Sequence, residues 1–550
     1  MTREGLDLAI VDADVVTLDP DHPRAGAIGI QGGRVACVGD DAEVLASASD
    51  GTRVIRAAGA MVVPGLVDGH AHLDREGLRD LYPAMTGLPT VDAVLDRIER
   101  LVAVTPPGEW LVTMPLGDPP YYEGEQPFPT LEQLDRVSGS TPVFIRPIWG
   151  YWRHRLPLRS MLNSEALRRL GPDALDQVAT WSDVEVDPAT GRPTGRIDER
   201  TFEPTLELLL PGGAGRFDGE TRRRGIVRAS AHYASTGTTG VYEGHGAAAE
   251  VSAAYRAVRE TGEPVVRARL PLSLPWADLT PAARADLRRG PVDAVARGGD
   301  GDDLVRFQGV SLGTPHDSPG SAVRRAARPY TGWAGFDPGS WLPEDELVDE
   351  LVACARAGVQ VAAMTPDMLG VFSRVDAIAP IGRLRWVIGH VNVLDRADVS
   401  TIRRLGLAVT THTNRYLFKE GALGQERAES SGGRVVPLRS LLDAGIPVSL
   451  GTDNVPTSLL GPIRHVVDRT TRDGAVVDAE QAISRLEALR CATVGGAWLS
   501  FDETWRGRLA PGWAADLAML TDDLLAVPGP ALPEVRSMLT VVDGRVVHES

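Results

Sequence analysis

Cysteine, aromatic residues and positive charge are all scarce in this chain, and long apolar runs are missing. The three cysteines, Cys37, Cys354 and Cys491, stand far apart without Cys-x-x-Cys spacing. That excludes a disulfide framework and a zinc ribbon, and it suits a reducing cytoplasm. No segment reaches the ~20 consecutive apolar residues that a bilayer crossing needs, and residues 1–7 lack an apolar stretch of signal-peptide length. The expectation is a cytoplasmic protein with no membrane partner. Lys and Arg number 57 against 74 Asp and Glu, a net charge of -17. Acidity spread along the chain argues against a nucleic-acid groove and against an anionic membrane surface. What is present is bulk: 550 residues, 43% of them hydrophobic, enough for a sizeable core in one large domain with additions or in two or three domains. A large enzyme acting on a small molecule fits this profile, with a homodimer as the default assembly.

The two ends share a β character. Residues 6–18, 27–38 with Gly32-Gly33 between its halves, and 53–57 read as short strands, Gly-Gly being a hairpin signal. Residues 515–520 and 538–547, the latter broken at Asp543-Gly544, repeat the pattern. Because chain ends often lie close together, residues 1–60 and 510–550 are expected to form one small β-sandwich. Residues 61–509 alternate instead: helices at 90–104, 219–235 and 344–357, strands at 142–148, 239–242 and 359–364. Strand and helix in turn is the pattern of a parallel α/β architecture, and a (β/α)8 TIM-type barrel with insertions is its economical form. Functional residues in such barrels lie at the C-terminal ends of the strands.

One strand end stands out. Residues 62–74 read Val-Val-Pro-Gly-Leu-Val-Asp-Gly-His-Ala-His-Leu-Asp, an apolar run of the kind buried in a parallel sheet, closing on His70 and His72. Positions i and i+2 of a strand share a face, so both imidazoles can reach one metal ion. Residues 385–390 form another apolar run that ends in His390, which by itself reads either as a core imidazole or as part of the same site. Residues 446–453 end in Asp453, either a helix N-cap or a ligand. Together, three imidazoles and a carboxylate on strand ends make a site for a divalent metal and an activated water. His412, Asn414 and Arg415 follow the strand 407–409 and suit substrate recognition or a surface loop, because Arg415 is a poor neighbour for a cation. Glu243 and His245, after the strand 239–242, are further candidates for lining the site. Trp149, Tyr151 and His154 lie in a run of aromatic and cationic residues within a chain that is 5% aromatic, forming either a substrate wall or a packed loop.

In these residues and their order the chain resembles the amidohydrolase superfamily, in particular its amidohydrolase-3 branch of YtcJ-like metal-dependent hydrolases. The likeness runs from Pro64-Gly65 to His72, through Pro129-Thr130-Leu131, Leu134-Asp135 and Pro142-Val143-Phe144, to Leu162-Asn163-Ser164-Glu165 and Thr190-Gly191-Arg192-Pro193. It continues through Ser311-Leu312-Gly313, Gly389-His390, Gly451-Thr452-Asp453 and Gly507-Arg508-Leu509-Ala510-Pro511-Gly512, and ends at Val542-Asp543-Gly544-Arg545.

The resemblance implies a barrel over residues 61–509, a sandwich from both termini, and hydrolysis of an amide-like C–N bond by a metal-activated water. It makes His70 and His72 metal ligands, Asp453 a ligand and general base, and His390 a ligand or a group that polarises the substrate carbonyl. Two departures matter. The histidine usual at the fifth strand is replaced by Met364, and the run before Ser311, Val305-Arg306-Phe307-Gln308-Gly309-Val310, carries no lysine that could be carboxylated to bridge two metals. The expectation is therefore one divalent ion, zinc ahead of iron, manganese and cobalt, held by His70, His72 and Asp453 with His390 as a fourth group. Gln308, Glu243 or His245 would compensate. N-acyl and N-formyl compounds, carbamates and cyclic amides are the expected substrates. The competing readings are a deaminase acting on an amidine-like ring carbon and a non-catalytic barrel whose metal site has decayed.

Overall fold

A computed structural model of the chain describes residues 5–550 except 121, 154, 210–215, 297–298, 313–318 and 338–341. Two compact units emerge: Met1–Leu73, Val227–Pro315 and Gly339–Ser550 form the first, Asp74–Ile226 with His316–Pro338 the second.

The first unit contains a β-sandwich and a barrel. One sandwich sheet orders Arg34–Gly39, Ala27–Gln31, Leu8–Val11 and Arg53–Arg56. The other orders Arg545–Glu549, Ser537–Val542, Leu517–Leu520, Met61–Pro64, Asp14–Val16 and Arg24–Ala25, so strands from both ends of the chain share one sheet. Period-two alternation divides the burial. Leu8 and Ile10 join Ile28, Val62, Leu517 and Val541 in the inter-sheet core, while Ala9 and Val11 pack with Val44 on the opposite face. The sandwich extends past residue 60, because Met61–Pro64 is buried throughout and pairs with Leu517–Leu520 on one side and Asp14–Val16 on the other.

Eight strands of the barrel sheet follow one another in sequence order, β1 Leu66–Ala71, β2 Thr238–Glu243, β3 Arg267–Ser273, β4 Val305–Leu312, β5 Val361–Ala363, β6 Val387–Ile388, β7 Ala408–Thr411 and β8 Val448–Leu450, and a ninth, two-residue strand, Asp300–Gly301, pairs antiparallel with β4. Neighbours among these eight pair in parallel, as the sequence pattern predicts for an α/β barrel. β8 returns to β1 through the Asp453 N–H, which donates to the His70 carbonyl at 2.8 Å. That approach requires glycine: a Cβ on Gly451 would stand 2.6 Å from the His70 Cβ.

The second unit takes in much of the sequence between β1 and β2. The strand expected at 142–148 belongs here as Val143–Ile145, inside a five-stranded sheet ordered Ser182–Val186, Pro193–Glu199, Leu158–Leu162, Val143–Ile145 and Leu111–Thr113. It pairs with Leu111–Thr113 and Leu158–Leu162, not with any barrel strand. Residues 61–509 are thus more than one barrel with loops. Asn163 serves this unit as a four-way connector. Its carbonyl oxygen caps the helix Ser164–Ala179 through the Ala166 N–H and accepts from the Val143 N–H, both at 2.9 Å, while its amide donates to Ser138 Oγ and the Thr141 carbonyl at 2.8 Å.

At the other end of the barrel strands, buried arginines tie barrel to sandwich. Arg267 of β3 grips Asp516 with two bonds of 2.7 and 3.0 Å, and Arg506 adds a third at 3.1 Å. Burial alone would raise the Asp516 pKa, but Arg267 and Arg506 hold it below the ordinary carboxylate value. Removing the carboxylate leaves two guanidiniums buried without their shared counter-charge, which costs about 3–5 kcal/mol. Asp516→Ala is therefore expected to lower unfolding stability by about that amount in urea titration. A loss under about 1 kcal/mol would show that the network is dispensable.

Candidate metal centre

Five strand ends converge on one pocket. β1 delivers His70 and His72, β2 delivers Glu243 and His245, β6 leads into His390, β7 into His412 and β8 into Asp453. His70, His72, His412, Glu243 and Asp453 are buried, and His245 and His390 are half-buried. The His70 ring centroid lies 5.2 Å from that of His72, 4.9 Å from His245, 4.6 Å from His390 and 5.6 Å from His412. Gly244 makes room for this cluster, since a Cβ there would sit 2.2 Å from the His70 ring.

Each ring is oriented by a partner. Glu243 Oε1 contacts His72 Nδ1, and His72 Nε2 then faces Asp453 Oδ1 at 3.0 Å. His390 Nδ1 meets the Tyr416 hydroxyl at 3.0 Å, while its Nε2 is 3.2 Å from His70 Nε2 and 3.1 Å from His245 Nε2. His412 Nδ1 stands 3.5 Å from Asp453 Oδ2. Burial pushes the Tyr416 hydroxyl well above its usual pKa, so it stays protonated.

Two residues lash the first strand to the last. Asp68 Oδ1 accepts from the His70 and Thr452 N–H groups at 3.0 Å, and Oδ2 accepts from Thr452 Oγ1 at 2.6 Å. Burial raises Asp68 to about 7 in spite of these donors. Asn454 exchanges bonds of 2.9 and 2.8 Å with the His72 backbone and accepts from the Tyr233 hydroxyl at 2.7 Å. His390, Asp453 and Asn454 occupy the left-handed region at φ 51°, 53° and 61°. Non-glycine residues there store strain, a trait that clusters at functional sites.

The other expected residues divide. Asn414 reaches the pocket wall, its amide donating to the Thr452 carbonyl at 3.4 Å. Arg415 turns to Glu420 at 3.2 Å. Gln308 donates to Gln360 at 3.1 Å, and Gln360 in turn donates to the carbonyls of Arg385 and Leu499. Arg306 is committed to Asp502 at 2.6 Å. Trp149 and Trp152 are buried within the second unit, with Trp152 stacked on Tyr122 at 5.1 Å and both rings near Trp333, the packed-loop form of that segment. Tyr151 lies in the helix Gly150–Arg153, its side chain outside the described residues, as is all of His154. Sequence reasoning missed Asp68, Asn454 and Tyr416. A carboxylate inside an apolar strand was the signal for Asp68; nothing in the sequence distinguished Tyr416.

The donors fit a divalent cation. A proton on His72 Nδ1 shared with Glu243 leaves the Nε2 lone pair beside Asp453 Oδ1, which is the pairing of donors a divalent cation takes. Ligands about 2.0–2.1 Å from a tetrahedral centre are separated by about 3.3 Å. The contacts of 3.0 to 3.8 Å among His72, Asp453, His70 and His390 bracket that spacing. Imidazole and carboxylate donors suit zinc, iron, manganese and cobalt.

Comparison with known proteins agrees. A family model described as amidohydrolase family matches residues 53–548. An N-substituted formamide deformylase of Arthrobacter pascens is 25% identical over 570 residues, covering 99% of this chain and 98% of that protein. The putative amidohydrolase YtcJ of Bacillus subtilis (strain 168) is 22% identical, covering 90% and 91%. The crystal structure of an uncharacterized metal-dependent hydrolase from Pyrococcus horikoshii shares the fold, with a TM-score of 0.67 at 19% identity and coverage of 95% and 99%. The chain belongs to the amidohydrolase family.

Proposed function

We propose that the protein hydrolyses the C–N bond of a small N-formyl or N-acyl compound, using one catalytic divalent ion, zinc first, held by His70, His72 and Asp453 with His390 alongside. The observation that carries this reading is the alignment Glu243–His72–Asp453, a buried carboxylate fixing an imidazole whose other nitrogen faces a second carboxylate at 3.0 Å. When bound, such an ion supplies Lewis acidity and lowers the pKa of a water molecule from about 15.7 toward about 7. Asp453, presented at the end of β8, takes the proton of the attacking water and returns it to the leaving nitrogen. Glu243 acts through His72, as a positioning residue. Tyr416 holds the His390 ring, and because its hydroxyl both donates and accepts, His390 offers the pocket either a lone pair or an N–H directed at the substrate oxygen.

The N-formyl substrate class is supported by the relative that aligns over 99% of this chain, an N-substituted formamide deformylase. The cytoplasm is the proposed compartment, supported by the three cysteines, all free thiols in the structure.

Three outcomes test this reading. N-substituted formamides incubated with the purified chain should release formate; release of ammonia from amidine-like rings instead would move the assignment to a deaminase. Asp453→Asn should lower kcat/KM by about 10²–10⁴-fold with an unchanged melting profile, and retention of a tenth or more of the activity would remove Asp453 from the role of base. Glu243→Gln should weaken metal binding about 10–100-fold in competition with a chelator, while wild-type affinity in that variant would separate Glu243 from the centre.

A further inference from the structure

We propose that Asn454, seated by the buried hydroxyl of Tyr233, is a positioning residue that sets the spacing of His72 and Asp453, so that metal affinity depends on two side chains outside the ligand set. The inference rests on the hydrolase reading above and adds to it the residues that hold two of its ligands in register.

The barrel sheet does not set that spacing. β1 ends at Ala71 and β8 at Leu450, so His72 and Asp453 both stand past the ends of their strands. The Asp453 N–H still reaches the His70 carbonyl at 2.8 Å. For His72 the side-chain amide of Asn454 stands in for a peptide group of a longer strand: Oδ1 accepts from the His72 N–H at 2.9 Å, and Nδ2 donates to the His72 carbonyl at 2.8 Å. One amide thus grips both backbone polar groups of a proposed ligand. Its orientation is fixed, because the reversed amide would set two N–H groups against each other on one side and two oxygens on the other.

Tyr233, on the helix Gly219–Ser235, is fully buried. Its hydroxyl donates to Asn454 Oδ1 at 2.7 Å and lies 3.4 Å from Thr452 Oγ1. Thr452 Oγ1 accepts from the Asn454 N–H at 3.1 Å and donates to Asp68 Oδ2 at 2.6 Å. Both chain neighbours of Asp453 are therefore tied to the β1 segment, Thr452 through Asp68 and Asn454 through His72. Between these two anchors Asp453 presents Oδ1 at 3.0 Å from His72 Nε2. The backbone of Asn454, at φ 61°, would suit glycine without strain, so what asparagine adds at this position is the amide.

Two variants separate positioning from folding. Asn454→Gly keeps the backbone conformation and deletes the amide, and Tyr233→Phe keeps the buried ring and deletes the hydroxyl. Each full-length protein, stripped of metal, is titrated with zinc against a chromophoric chelator, and its metal-free melting profile is recorded. Zinc affinity should fall about 10–100-fold in Asn454→Gly and about 10-fold in Tyr233→Phe, and at saturating zinc kcat should fall in both with KM unchanged. A lowered melting temperature with wild-type zinc affinity and kcat in both variants would show a purely structural role and overturn the proposal while leaving the hydrolase standing. A loss confined to Asn454→Gly would strike Tyr233 from it. No zinc uptake by the wild type would sink this assignment and the hydrolase reading together. Should Asn454→Gly fail to fold, Tyr233→Phe decides alone.

Discussion

The Asp68–Thr452 bond is the constraint on which the rest of the site depends. A buried carboxylate on β1 accepts from three donors, two of them on the residue that precedes Asp453. It thereby fixes the last strand against the first and sets the distance between the two histidines of β1 and the aspartate of β8. Asn454 repeats the lashing one step further along, through the backbone of His72. A parallel barrel has no edge to anchor, so closure must be specified by such side-chain bonds and by residues small enough to let the strands approach. Gly451 supplies the second condition, facing the Cβ of His70. The acid chemistry of Asp68 is a consequence: burial raises it to about 7, because its role is to receive hydrogen bonds in a place water does not reach.

What could be read in advance follows from chemistry that repeats at short range. The parallel barrel was legible because β1, β5, β6 and β8 are apolar runs bounded by turn residues, and His70 and His72 were legible because a strand's period of two puts alternate residues on one face. Asp453 and His390 came from the same logic, one polar residue closing an apolar run. His412 resisted it, since the neighbouring Arg415 argues against a cation, and only the fold shows that Arg415 turns toward Glu420. The second unit resisted too. Its strands Leu111–Thr113 and Val143–Ile145 are three residues each, too short to declare which sheet they join. The Trp149 segment carried a functional signature in composition alone, and Trp152 and Trp333 occupy it with packing.

Strain and charge are distributed unevenly over the first unit. At the C-terminal ends of the strands, His390, Asp453 and Asn454 hold left-handed backbone, and Glu243, Asp68 and Asp453 are buried carboxylates. Such conformations cost of order 1–3 kcal/mol each and persist only when surrounding contacts over-determine them. At the opposite ends, Arg267, Arg269 and Arg506 meet Asp516 and Asp502 in buried ion pairs. Barrels of this kind separate a face that stabilises from a face that reacts. Here the separation has a chemical edge: the stabilising face satisfies its carboxylates with permanently charged guanidinium groups, and the reactive face surrounds its carboxylates with imidazoles.

That difference decides what each face can bind. Among the described residues, no arginine or lysine pairs with Asp453, whose partners are His70, His72 and His412. A guanidinium in that position would neutralise the carboxylate outright and repel a metal ion. Imidazoles instead set ring nitrogens beside the carboxylate, and neutral imidazole with carboxylate is a donor set that a divalent cation takes. The absence of lysine from β4 and of histidine after β5 therefore does not empty the centre. His245 on β2 and His412 after β7 stand in the same cluster as His70, His72, His390 and Asp453, so donor atoms reach the pocket from β2 and β7 as well as from β1, β6 and β8.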